Sequence, residues 1–124
     1  MVNLLQPLIN RYSKTVDLEP RGPFYARSPK WPTMRKRHLI VQPVCQICGH
    51  GLGLNVHHVY PVYLFPELEL DPDNLITLGE YCPSGNHHFL FGHFLNWKKY
   101  NPRILEVSAL FLEAIKKKPS ALLL

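Results

Sequence analysis

At 124 residues the chain is one domain's worth of material, and its 46% hydrophobic and 19% charged residues exclude a chain too polar to fold. No run approaches the roughly 18 apolar residues of a membrane-spanning helix. The net charge of +5 draws the protein towards polyanions without naming one.

In chain order, residues 1–27 read as an arm, mixing the apolar Leu4, Leu5, Leu8 and Ile9 with Pro20, Gly22 and Pro23. They carry no secretory signal, so the expected setting is a reducing cytosol with no membrane attachment. From Ser28, Ser-Pro-Lys-Trp-Pro supplies helix-start chemistry, and Thr33–Val41 continues as a basic helix ending at Pro43. Its Arg35, Lys36 and Arg37 are candidate phosphate contacts or an ordinary solvated face.

Cys45-Gln-Ile-Cys48-Gly49 then forms a tight cysteine knuckle. Leu54-Asn-Val-His-His-Val-Tyr-Pro61 alternates as one strand of a hairpin, and Asn74-Leu-Ile-Thr-Leu78 is the returning strand. Glu67 and Glu69 in the loop between them can contact a metal, although acidic loop residues are ordinarily just solvated. Beyond Cys82, a short aromatic-rich helix is expected from His88 through Phe94 and Trp97, followed by Lys98 and Lys99, further candidate phosphate contacts. Asn101-Pro102 reads as the cap and first turn of a last helix, with Ile104, Val107, Ser108, Phe111 and Ile115 at helical spacing.

Three cysteines cannot all pair within one chain. In a reducing compartment, Cys-x-x-Cys is a metal or redox motif before it is a disulfide. Tetrahedral zinc asks for four sulfur or nitrogen ligands. Cys45, Cys48 and Cys82 supply three, and His87, across a flexible Pro-Ser-Gly-Asn segment, is the choice for the fourth over His88 or His50. A redox pair is the rival reading, but its usual βαβ setting is missing here.

The second constellation is a histidine pair ending a strand, an asparagine opening the next and histidines on the following helix. Neighbours on a strand point to opposite faces, so His57 and His58 have different jobs. Hydrolysis of a phosphodiester needs activated water, a base near neutrality and positive charge over the phosphate. Histidine with a divalent ion supplies all three.

Cys-x-x-Cys, Val-His-His-Val-Tyr-Pro, Asp-Asn-Leu-Ile-Thr-Leu and Asn-His-His, in that order, resemble the HNH endonuclease family over about residues 28–101. Arg27-Ser-Pro-Lys-Trp-Pro, Phe65-Pro-Glu-Leu-Glu-Leu-Asp and Phe91-Gly-His-Phe-Leu-Asn-Trp resemble small phage-encoded members. The resemblance implies an α+β fold: a small ββα-metal (His-Me finger, treble-clef-like) core with a zinc knuckle, flanked by the basic helix and a C-terminal helix and tail at 102–124. It implies His57 and His88 as ligands of a catalytic ion, His58 as general base and Asn74 as the residue tying the hairpin and orienting the base.

Two positions depart from the family pattern: Gly79 and His87 stand where many members have cysteines, so Cys82 must serve from a shifted place. His93 lies five residues past His88, about 140° away on an ideal helix, and can share the ion only if that helix is distorted. The implied activity is metal-dependent cleavage of DNA, with a structural Zn2+ and a catalytic Mg2+, Mn2+, Ni2+ or Zn2+. Any narrow specificity is expected from a homodimer or a phage protein partner. The alternative is a non-catalytic zinc-finger module that binds nucleic acid, and a thiol redox protein is a weaker third.

Overall fold

The computed structural model describes residues 27–117. The sequence expectations for residues 1–26 and for the tail after Lys117 lie outside them.

Helix α1, Trp31–Val41, starts where Ser28 prepares it. The Ser28 hydroxyl accepts from Lys30 N–H at 3.2 Å, its carbonyl accepts from Trp31 N–H at 3.0 Å, and Pro32 presets the first turn. The helix buries no residue, so it is held by its ends. At the C-terminal end Gln42 N–H bonds the His38 carbonyl, and the Gln42 side-chain oxygen accepts from Thr77 N–H at 3.1 Å.

Strands β1 (Leu54–His58) and β2 (Leu75–Gly79) form an antiparallel hairpin with Val56 opposite Thr77 and His57 opposite Ile76. All five residues of β2 are buried. On the edge of β2 turned away from β1, Gln42 and Gln46 take both backbone groups of Thr77, which covers the middle of that edge. β1 stops at His58, three residues short of Pro61. Val59 N–H still reaches the Asn74 carbonyl, but the Asn74 side chain takes both backbone groups of Tyr60 and turns the chain away.

Ile47, Phe65, Ile76, Leu78, Tyr100 and Ile104 fill the core. The helix expected from His88 to Trp97 is only a π-helical turn, His88–Gly92. It is cut off by Phe94 and Leu95, whose φ angles are 52° and 61°. Helix α2, Ile104–Lys117, begins after Asn101, whose side-chain oxygen accepts from Arg103 N–H at 2.9 Å. It packs Ile104, Val107 and Phe111 on the core, with the Phe111 ring 5.2 Å from Phe91. The molecule is thus α+β, with a hairpin and a helical turn framing a Cys/His cluster in a ββα-metal core. Among the described residues no helix is long and apolar enough to cross a membrane.

Candidate metal centres and the histidine between them

Two knuckles face each other. Gly49, at φ 82°, closes the first by donating to the Cys45 carbonyl, and Cys82 and Gly85, at φ 127°, exchange backbone hydrogen bonds in the second. Between them Cys45, Cys48, Cys82 and His87 are all buried, and one ligand atom from each lies within 4.8 Å of the others. The Cys45 Sγ to His87 Nδ1 separation of 3.7 Å is close to the edge of about 3.6 Å expected for sulfur and nitrogen sharing tetrahedral zinc at usual bond lengths. The Ser84 hydroxyl sits 2.8 Å from His87 Nε2, leaving Nδ1 to face the thiols. Burial, followed by the crowding of neighbouring thiols, pushes the Cys82 thiol up, and burial likewise raises Cys48. The pocket therefore resists bare negative charge and favours a cation among the sulfurs. This buried cluster fits a metal such as zinc.

The shifted cysteine has a steric explanation. A Cβ at Gly79 would lie 2.5 Å from Cys82 Sγ, so the Cys82 sulfur occupies the space that a side chain at 79 would fill.

The second cluster is His57, His88 and His93, again with one nitrogen each within 4.8 Å. His57 is buried at the end of β1 and the other two are half-buried around the π-turn. Hydrogen bonds of a π-turn span five residues, which brings positions five apart onto nearly one face; His93 thereby joins His88. Glu80 Oε2 lies 3.0 Å from His88 Nδ1, and the Lys99 carbonyl 2.7 Å from His93 Nδ1. Each fixes the proton on Nδ1 and turns Nε2 inwards, as outer partners of metal-bound histidines do. His88 Nε2 is 3.1 Å from His57 Nδ1. The space is tight: a Cβ at Gly92 would meet the His57 ring at 3.1 Å. Burial, then the neighbouring histidines, hold His57 well below the ordinary imidazole range, and burial takes His93 down to about 4. Neutral imidazoles at pH 7 are ready donors for an ion.

His58 points away from that cluster, as strand alternation requires. Its Nε2–H donates to the Glu69 carbonyl at 2.9 Å, and Trp31 lies against its ring with centroids 4.5 Å apart. Burial lowers its pKa to about 4. Asn74, on the turn before β2, binds Tyr60 N–H at 2.8 Å through Oδ1 and donates to the carbonyls of Tyr60 and Leu68 at 3.1 Å each. It clamps both ends of the loop that carries Glu69.

Residues 45–89 match the HNH endonuclease family model. No curated protein and no solved structure matches the chain. The matched HNH segment, of a nuclease family whose members act on DNA, runs from the first knuckle through His58 and Asn74 to His88. His93 and the partner of its ring, Lys99, lie beyond it.

The remaining sequence candidates are dispersed. Lys36, Arg37, Lys98 and Lys99 are exposed, Arg35 is half-buried, and His50 is exposed outside the sulfur site. Glu67 is exposed. Glu69 is buried and its carboxylate accepts Ser28 N–H at 3.0 and 3.2 Å, so that carboxylate serves the chain and belongs to neither ligand cluster. Sequence reasoning passed over Glu80, Ser84 and Trp31. Glu80 had a faint signal, a carboxylate directly after β2; the other two had none.

Proposed function

We propose that the chain is a metal-dependent DNA endonuclease in which His57, His88 and His93 hold a catalytic divalent ion and His58 is the general base. The supporting observation is the division of labour within one dipeptide. His57 turns to two other histidines, while His58 is fixed by the Glu69 carbonyl through Nε2 and keeps Nδ1 for a water. A bound ion supplies positive charge over the phosphate and the leaving oxygen and acidifies water. His58 Nδ1 takes the proton as water oxygen bonds to phosphorus and the bridging P–O bond breaks, and solvent protonates the leaving alkoxide. His58 is a weak base while its site is empty of substrate, and an entering phosphate's negative charge raises its proton affinity. Three imidazoles suit zinc or nickel better than magnesium.

In this reading Cys45, Cys48, Cys82 and His87 hold structural zinc. Residues 28–101 are the catalytic domain, with helix α2 packed on the same unit. Arg35, Lys36, Arg37, Lys98 and Lys99 contribute salt-dependent phosphate contacts. Any narrow specificity comes from a second copy or another protein.

The test is nicking of supercoiled plasmid by protein stripped at the histidine site and resupplied with magnesium, manganese, nickel or zinc. His58→Ala is expected to lose about 100-fold or more in rate at unchanged zinc content and DNA affinity. Intact plasmid with every ion, from folded and DNA-binding protein, overturns catalysis in favour of a binding module.

A further inference from the structure

Arg27 closes the N-terminal arm in sequence, yet the fold brings it to the base. Its guanidinium lies 5.1 Å from the centroid of Trp31, and Trp31 in turn lies 4.5 Å from the His58 ring. Among the described residues no carboxylate or carbonyl accepts from that guanidinium, and its charge is felt at His58.

The stack is anchored from both sides by one residue. The buried Glu69 carboxylate takes Ser28 N–H with both oxygens, and the Glu69 carbonyl takes His58 Nε2–H. Segment 27–31 and the base, 27 or more residues apart in sequence, therefore share a single support. A stacked arginine keeps its planar fork of donors free, which suits it to a phosphate diester. Stacking also holds the long side chain in place before substrate arrives.

We propose that Arg27 binds the phosphate undergoing cleavage, on the side of His58, with Trp31 as the positioning residue that presents it. The proposal rests on the nuclease reading above. It differs from general DNA attraction because the contact is with the reacting group and is needed even when no duplex is present.

The experiment compares wild type, Arg27→Ala, Arg27→Lys, Arg27→Ala/Trp31→Ala and Lys36→Ala in manganese on two substrates, supercoiled plasmid and bis(p-nitrophenyl) phosphate. Folding is checked by zinc content and thermal midpoint. Arg27→Ala is expected to lose about 100-fold in kcat/KM on both substrates, with Arg27→Lys in between. Free guanidinium should restore part of the activity to Arg27→Ala but not to the double variant, whose platform is gone. Lys36→Ala should weaken plasmid cleavage alone.

Arg27→Ala within twofold of wild type on the small diester, with His58→Ala inactive, overturns the proposal and leaves the nuclease standing. A loss confined to plasmid also overturns it, since Arg27 is then a groove cation. Wild-type protein inert with both substrates and every ion overturns the two readings together.

Discussion

The two clusters meet at neighbouring residues, His87 and His88 at the start of the π-turn, but differ in donor type and closure. The sulfur site has four buried donors, three of them thiols, and burial makes those of Cys48 and Cys82 reluctant to ionise alone. The histidine site has three nitrogens, two of them half-buried, each of those two held from behind by an oxygen. A saturated, buried donor set suits an ion that braces the fold. An unsaturated set reaching the surface leaves room for water and phosphate.

The largest expected effect separates these roles. Cys82→Ser should lose zinc and, with it, the folded state at pH 7. Structural zinc contributes on the order of 10 kcal/mol in small zinc domains, comparable with a whole domain's net stability. Circular dichroism alongside metal content checks this, and a zinc-free variant that melts like wild type would break the comparison. Glu80→Gln should act only on the other side. Losing the carboxylate behind His88 is expected to weaken nickel or manganese binding about 10–100-fold, read by calorimetric titration, with the thermal midpoint unchanged. If the midpoint falls instead, Glu80 belongs to the scaffold.

The smallest effect concerns pH. His58 titrates at about 4 in the folded protein, below its usual value of about 6.5, so the unfolded chain binds protons more readily. Its contribution is fully present above pH 6.5 and is lost as pH falls from there to 4. At pH 5.5 the loss is about 1.4 kcal/mol. Urea unfolding of wild type and His58→Gln in excess zinc should converge by that amount between pH 7.5 and 5.5, and parallel stabilities would mean that His58 is not buried as a neutral ring.

Local spacing made much of this legible. Cys45 and Cys48 lie one turn apart, Asn55 to His58 alternate, and the apolar stripe of α2 follows a helical period; each is a property of adjacent residues. Asn74 bonds both backbone groups of Tyr60 beside the hairpin. His93 was not legible in the same way, because an ideal helix turns it away and only the π-turn, wound between buried Gly92 and the His57 ring, returns it. Glu69 was misjudged for a related reason: a carboxylate in a proline-rich loop ordinarily faces water, and here it is buried by the segment it holds.

By itself the sequence determined the hairpin, the cysteine knuckle at Cys45–Gly49, the last helix and the donor types, since each follows from residues close in the chain. Tertiary structure alone decided that Cys82 fills the space left by Gly79, that His93 joins His57 and His88, and that Arg27 and Trp31 sit over His58. Those outcomes depend on which distant surfaces share one small core, and neither residue type nor spacing encodes the position of a partner 27 to 41 residues away.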